Sequence, residues 1–210
     1  CNLDATSEYS SLGELIHARC QQYRVSNFEY QRPDEYRLLQ EMRTLRLASA
    51  TKNEVDSEHF LLEFSEIESQ VESGKAQRME AFYRRMRKRH SILMDGDKPL
   101  GERWNYDGDN RNKFKTDDIE QIPEPLQFAN NVSAILQRLK AHGISYFGTE
   151  STSLLWPVDR QQALQLLSFF CQHCLPRFGR FQDAMTCQSS SSWSLYHSRL
   201  SFALNCKLLS

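Results

Sequence analysis

Many features that assign a protein to a specialised class are absent from this chain of 210 residues. No apolar run approaches the roughly 20 residues that a membrane-spanning helix needs. No apolar stretch opens the chain as in a secretory signal peptide. Charge of one sign does not dominate either: the formal net charge is −1, so a nucleic-acid partner would need a local basic patch. The sequence therefore predicts no membrane association.

Cysteine is sparse, and the usual nucleophile and metal motifs are missing. The cysteines are scattered over a chain too long for a small disulfide scaffold, so we expect reduced thiols and a cytoplasmic protein. No Ser–His–Asp arrangement and no HExxH motif is apparent. We accordingly predict no catalytic residue and no metal ligand in this chain. The six cysteines are Cys1, Cys20, Cys171, Cys174, Cys187 and Cys206.

The residues that are present have the composition of a packed protein, with 40% hydrophobic and 25% charged residues. In the first part, "VSNFEY" (Val25–Tyr30) and "EHFLLEF" (Glu58–Phe64) are typical of strands. Between them, "RPDEYRLLQEMRTL" is typical of a helix with Pro33 in its first turn. Strand–helix–strand at this spacing predicts an α/β unit with parallel strands.

The rest of the chain changes character twice. "GKAQRMEAFYRRMRKRH" predicts a helix, and residues 91–125 predict an irregular connection that Trp104 and Tyr106 anchor. After Pro125 the apolar spacing is helical, and Asp159 is placed to cap a helix, with Gln162 in the capping-box position. We therefore expect an α/β part, a long connection and then an all-α part.

The end of the chain, "LYHSRLSFALNCKLLS" (Leu195–Ser210), predicts a helix preceded by the polar segment His197–Ser201. Ser198 is placed to cap this helix, Ser201 to add a hydroxyl donor, and Arg199 to present a fork for phosphate oxygens. These residues would then bind an anion such as a diphosphate. The alternative, which the residue chemistry alone favours, is a capped helix with one exposed arginine.

Three other stretches have a structural and a functional interpretation, and the residues favour the structural one each time. The basic run Arg84–Arg89 is either a solvated helix face or a patch for nucleic-acid phosphates. "CQHC" (Cys171–Cys174) holds either buried free cysteines or zinc or redox ligands. "DGDKPLGERWNYDGDN" is either an ordered loop with turn-forming Asp residues or a calcium loop.

Several stretches, taken in order, resemble one family. They are "FEYQRPDEYRL", "EHFL", "MEAFYRRMRKRHSILMDGDKPLGERWNYDGDNR", "LPRFGRFQDAM" and "LYHSRLSFALN". The chain is similar to the deoxyribodipyrimidine photolyase-related branch of the cryptochrome/photolyase family. This is the bacterial group with iron–sulfur clusters, whose members repair (6-4) photoproducts or act as cryptochromes. The similarity runs from about Phe28 to Ser210.

The resemblance implies a fold and a cofactor. Residues 1–90 would form a truncated, Rossmann-like antenna domain, residues 91–125 the interdomain connection, and residues 126–210 the first helices of the FAD-binding helical domain. The FAD-binding candidates carried over by position are His197, Ser198, Arg199, Leu200, Ser201 and Phe181. A longer parent protein would also hold an antenna pigment and an iron–sulfur cluster, whose ligands are not among these cysteines.

The chain also departs from the family pattern. Members usually have Gly-Gly where this chain has Gly101–Glu102, and they continue well past the equivalent of Ser210. We therefore expect an internal fragment that is inactive alone, with an incomplete FAD site and an apolar final helix that self-associates. The parent would be a light-driven lyase that repairs damaged DNA. A cryptochrome-like blue-light photoreceptor and a non-catalytic fragment without a complete flavin site are the alternatives.

Overall fold

A computed structural model of the chain describes residues 3–57, 59–71 and 73–210. The chain divides into two compact units, Cys1–Glu68 and Ser69–Ser210. The first combines helices with a parallel pair of strands, and the second is mainly helical with short antiparallel pairs. The described residues contain no helix with the length and apolar character needed to cross a membrane.

In the first unit, two strands and the helix between them form the α/β element that the sequence predicts. The strands pair in parallel, from Asn27 opposite Thr51 to Gln31 opposite Val55. Two strands do not establish a Rossmann-like sheet, so the antenna-domain assignment stays a prediction. The elements are a 3₁₀ turn (Leu3–Ala5), α1 (Leu12–Gln22), β1 (Asn27–Gln31), α2 (Tyr36–Thr44), β2 (Thr51–Val55), a second 3₁₀ turn (Phe64–Glu66) and α3 (Ile67–Gln70), which crosses into the second unit.

The second strand was predicted at the wrong place. Glu58 lies outside the described residues, residues 59–62 form turns and bends, and Phe64 starts a 3₁₀ turn. The strand is instead the polar stretch Thr51–Val55, which polar tertiary contacts hold in place. Lys52 Nζ donates to carbonyl oxygens at the end of α2, 2.9 Å from Arg43 O and 2.8 Å from Leu45 O. A cation there also complements the helix dipole.

The start of α2 also differs from the prediction. The helix begins at Tyr36, so Pro33 precedes it and does not occupy its first turn. Glu35 has an extended backbone, and its carboxylate accepts a hydrogen bond from Leu38 N at 2.7 Å. This N-cap marks the change from the extended segment before Tyr36 to the helix, and it gives one of the unpaired N–H groups of the first helical turn a hydrogen-bond partner. The inward side of α2 is apolar, with Leu39 and Met42 buried.

The second unit has two buried clusters. The larger holds Phe181, Tyr196, Leu195 and Cys174, and the smaller joins Ala163 to Ala203 and Leu209. The elements are α4 (Met79–Arg89), β3 (Met94–Asp95), β4 (Lys98–Pro99), α5 (Thr116–Glu120), β5 (Asn130–Asn131), α6 (Ser133–Ala141), β6 (Ser153–Leu154), α7 (Arg160–Phe169), a π-helical turn (Phe170–Cys174), α8 (Leu175–Phe181) and α9 (Ser201–Asn205).

The helices after Pro125 confirm most of the predicted pattern, although β5 and β6 add a short antiparallel pair to a part expected to be all-α. Asp159 caps α7 by accepting from Gln162 N at 2.8 Å. The capping box itself is not closed, because Gln162 Oε1 accepts from Val158 N and from the Asn130 amide. The predicted domain bounds at residues 90 and 125 stay predictions.

The helix predicted after the polar segment is present but shorter than expected, covering Ser201–Asn205. The left-handed residues Arg199 and Lys207, with φ values of 55° and 56°, flank it on either side. Such values interrupt a right-handed helix. Most apolar side chains here pack within the unit, whereas Leu204 is 41% exposed. Self-association through this segment stays a prediction.

The turn at Gly101–Glu102 tests the departure from the family pattern. Both residues have positive φ, 81° and 62°, and the Glu102 side chain is exposed. We expect Glu102→Gly to raise the free energy of unfolding by about 0.5–1 kcal/mol, because glycine adopts this φ without steric cost. Urea unfolding measures the change. Glu102→Ala is the control and should change stability little, because alanine keeps the Cβ; equal effects of the two variants would contradict the strain argument.

Candidate functional site

The polar segment lies between the buried Tyr196 and the start of α9. His197 is exposed, and its ring meets the Phe178 ring edge-on at 5.8 Å. Ser198 is half-buried, and its Oγ accepts from Leu200 N at 3.4 Å. Ser201 is exposed as the first residue of α9. The segment thus presents an imidazole and two hydroxyl groups within five residues.

The predicted capping role of Ser198 is wrong. Leu200 occupies the N-cap position of α9 and makes no side-chain capping bond. Ser198 lies two residues further back, where its hydroxyl closes a local turn. The reason is the left-handed Arg199 between them, which separates Ser198 from the first helical N–H groups. A helix of five residues also has too few aligned peptides for a strong dipole.

Arg199 is bound inside the protein. Its Nη2 donates to Leu126 O at 2.6 Å, and its guanidinium lies 5.1 Å from the Trp193 ring centroid. Burial lowers the pKa of Arg199, and the neighbouring Cys174 opposes this shift. An arginine remains protonated under such conditions. The guanidinium predicted to bind phosphate therefore already has a carbonyl and an aromatic partner.

Phe181 belongs to the core, at the end of α8. It is 2% exposed and stacks on Phe114 at 4.5 Å and on Tyr196 at 5.7 Å. The Tyr196 hydroxyl donates to Gln121 O at 3.2 Å, and burial raises the pKa of this phenol. In this arrangement Phe181 supports the residue that precedes the polar segment, and its ring does not face solvent.

The polar segment has the chemistry to bind one end of an anionic ligand. Arg199 has a left-handed φ, whereas Leu200 is right-handed with φ −81°. Such a succession can favour an anion through neighbouring backbone N–H groups, but here the Leu200 N–H already donates to Ser198 Oγ. The hydroxyls of Ser198 and Ser201 add donors. These groups fit the diphosphate part of FAD, whereas the buried Phe181 does not line a surface for its ring system.

Sequence reasoning missed an open cleft of about 580 Å³ beside the polar segment's supporting core. Phe114 and Ile119 contribute apolar surface, and Arg111 and Lys113 contribute positive charge. Asp183 lies in the same lining. No spacing in the sequence indicates this cleft, because its two walls are about 70 residues apart and meet only in the folded unit.

The basic run Arg84–Arg89 is only partly a solvated helix face. Arg87 is buried, donating from Nε to Ile92 O at 3.1 Å and from Nη2 to Leu93 O. Arg84, Arg87 and Lys88 lie 5.2–5.8 Å from the Trp104 ring. These contacts hold the irregular connection against α4. The prediction that aromatic residues anchor this connection is confirmed for Trp104, whereas Tyr106 is exposed and contacts Gly101 and Arg103 within the connection itself.

Replacing Arg87 tests this anchoring. We expect Arg87→Met to lower the free energy of unfolding by about 2 kcal/mol, because two carbonyl oxygens lose a charged donor. Arg89→Met is the matched control, since it removes one positive charge from the same helix at an exposed position. It should change stability by no more than about 0.5 kcal/mol. Equal losses in urea unfolding would show that general charge, and not these hydrogen bonds, is responsible.

The cysteines of "CQHC" have different environments. They lie in the π-helical turn after α7, where Cys174 is buried and Cys171 is exposed. The interpretation as buried free cysteines is thus confirmed for Cys174 and wrong for Cys171, because the wider turn points them to different sides. Burial raises the pKa of the Cys174 thiol, and Arg199 partly opposes this. The described residues contain no group of three or more His, Cys, Asp or Glu placed to hold a metal ion.

Alkylation should distinguish these thiols. At pH 8 we expect iodoacetamide to modify Cys171 at least about tenfold faster than Cys174, because the thiolate is the reacting form and Cys174 is both buried and raised in pKa. Mass spectrometry of timed, acid-quenched samples measures both rates in one chain. Exposed Cys206 is the internal control and should react like Cys171. Similar rates for Cys174 and Cys171 would contradict the buried position.

The loop "DGDKPLGERWNYDGDN" (residues 95–110) is ordered by turns and by an ion pair. Asn105 Oδ1 accepts from Asp107 N at 3.3 Å, and Arg103 pairs with Asp109 at 3.1 Å. Asn112 closes the next turn by donating to Asp109 O at 2.7 Å. These contacts support the interpretation of an ordered loop with turn-forming side chains.

Comparison with known proteins identifies the family. The sequence profile of the family described as "Deoxyribodipyrimidine photo-lyase-related protein" matches residues 1–154. A curated relative, the (6-4) photolyase of Agrobacterium fabrum, is 33% identical over 181 residues. That alignment covers 84% of this chain and 34% of the relative, so the chain spans about a third of the relative's length. The chain belongs to the deoxyribodipyrimidine photolyase-related family, as the sequence resemblance indicated.

Proposed function

We propose that this chain forms part of a flavin-dependent, light-driven lyase that repairs damaged DNA. The observation that carries the proposal is membership of the photolyase-related family, together with the similarity to a protein named (6-4) photolyase. Because the chain spans about a third of that relative, the activity and the DNA partner are proposed for the whole protein. The short segment of polar residues at 197–201 is the part of this chain best suited to the cofactor.

The proposed cofactor is FAD, with its diphosphate end toward the polar segment. Ser198 and Ser201 would hold it through their hydroxyls, and His197 through its exposed imidazole. Leu200 lies between the two serines in the sequence, and its backbone N–H already donates to Ser198 Oγ. When bound and reduced, FAD supplies a light-excited electron for splitting a pyrimidine photoproduct flipped out of DNA. The residues of this chain bind and orient that group, and the aromatic core behind Tyr196 keeps water from their far side.

The domain organisation follows from the same proposal. Residues 1–90 are a partial antenna-type α/β domain, residues 91–125 the interdomain connection, and residues 126–210 the first helices of the FAD-binding domain. The parallel pair β1 and β2 supports the first assignment, and the aromatic anchoring of Trp104 supports an ordered connection. The fragment status, the antenna pigment and the iron–sulfur cluster remain predictions for a longer parent protein.

Flavin binding tests the proposal directly. The purified chain is mixed with FAD, and blue absorbance retained after gel filtration and quenching of flavin fluorescence measure binding. We expect Ser198→Ala with Ser201→Ala to weaken binding by about a hundredfold, the loss of two hydrogen bonds to a charged group. Ser192→Ala is the matched control from the neighbouring serine-rich loop and should bind as the unaltered chain does. A chain without flavin absorbance after FAD addition would refute the cofactor site in this chain.

A further inference from the structure

We propose that Arg199 and Tyr196 are positioning residues that hold the polar segment against residues 121–126, and that the Arg199 guanidinium does not contact the anionic ligand. The ligand's identity as FAD rests on the proposed function above. The positioning itself is a property of the folded chain and is measurable without any ligand. This assignment replaces the sequence-based expectation that Arg199 binds phosphate oxygens.

Two side chains of the C-terminal part donate to backbone carbonyls of one distant stretch. The Tyr196 hydroxyl donates to Gln121 O at 3.2 Å, and Arg199 Nη2 donates to Leu126 O at 2.6 Å. Gln121 is the C-cap of α5, and residues 123–126 have no regular structure. Both carbonyls therefore lie outside helix and sheet ladders, so their oxygen atoms are free to accept from side-chain donors.

The Arg199 guanidinium also makes a cation–π contact with Trp193. It lies 5.1 Å from the Trp193 ring centroid, so one planar group makes a hydrogen bond and a cation–π contact together. Within the described part of the chain no carboxylate pairs with Arg199. Turning this group toward a phosphate would break the short bond to Leu126 O and the stacking on Trp193.

The consequence reaches the neighbouring serines through the backbone. Arg199 lies between Ser198 and Ser201 and has a left-handed φ of 55°. Arginine does not favour this conformation unless tertiary contacts of its side chain stabilise it. Anchoring the side chain therefore stabilises the turn and sets the relative positions of the two hydroxyls. Tyr196, buried against Phe181, anchors the other end of the same turn.

The test compares three variants with one control in the full 210-residue chain. Arg199→Met removes the donor and charge, Arg199→Lys keeps a charge and a donor without the planar fork, and Tyr196→Phe removes only the hydroxyl. Arg111→Met is the control, because it removes one positive charge from the cleft lining of the same unit. Urea unfolding and circular dichroism establish that each variant folds.

Hydrogen exchange supplies the ligand-free readout. Three backbone hydrogen bonds report on the two contacting stretches: Ile122 N to Ile119 O, Leu195 N to Ser191 O, and His197 N to Ser194 O. We expect Arg199→Met and Tyr196→Phe to lower the protection of these amides by about tenfold, the scale of one lost hydrogen bond. Arg199→Lys should restore part of it, and Arg111→Met should leave it unchanged.

FAD titration at low and high salt supplies the second readout. Arg199→Met should weaken binding by about tenfold while the salt dependence stays that of the unaltered chain, because no ion pair to the ligand is lost. Arg199→Lys should recover part of the affinity at unchanged global stability.

The opposite pattern would overturn the assignment: full amide protection in Arg199→Met, with weaker binding and a flattened salt dependence, would place the guanidinium on the phosphate. If the unaltered chain binds no FAD, the proposed cofactor site fails and exchange alone decides the positioning role. Should Arg199→Met not fold, Tyr196→Phe and Arg199→Lys decide it, and unchanged protection in both would refute it.

Discussion

The hydrogen bond from Arg199 to the carbonyl of Leu126 joins the end of the chain to a stretch more than 70 residues earlier. It acts together with the bond from Tyr196 to Gln121, five residues away on the same stretch. The arginine held in this way has a left-handed φ and precedes the five-residue helix α9, whose first residue, Ser201, is exposed. The polar segment therefore depends on a structural contact before any ligand is considered.

The aromatic core explains why that contact is stable. Phe114, Phe181 and Tyr196 stack in series, with ring centroids 4.5 and 5.7 Å apart, so the irregular connection, α8 and the C-terminal part share one buried surface. Stacked rings add to the free energy that their burial already provides. In the same unit, Arg87 and Trp104 hold the connection to α4. Trp104 and Phe114 belong to irregular segments, which backbone hydrogen bonds alone would hold less firmly.

The sequence predicted the elements with strong local signals. The apolar spacing of α7 and its Asp159 cap need only neighbouring residues, and both are confirmed. The prediction failed for β2, because Thr51–Val55 carries polar residues whose partners come from β1 and α2. It failed for the length of the final helix, because the left-handed residues Arg199 and Lys207 that flank it carry no local signal. For the site, the order of residues 197–201 was recognisable, whereas the burial of Phe181 and the partner of Arg199 were not.

By itself, the sequence determined the family, the helical pattern of α7 and the location of the polar segment, because each is recognisable from the order of residues along the chain. It predicted a parallel strand pair but misplaced the second strand, since β2 is held by contacts with β1 and α2. Only the tertiary structure decided what the side chains of that segment do. The charge and the planar guanidinium of Arg199 suit both a phosphate and a carbonyl partner. In the folded chain its partner is the carbonyl of Leu126, about 70 residues earlier. Such a partner enters through folding, since burial and distance are properties of the packed chain.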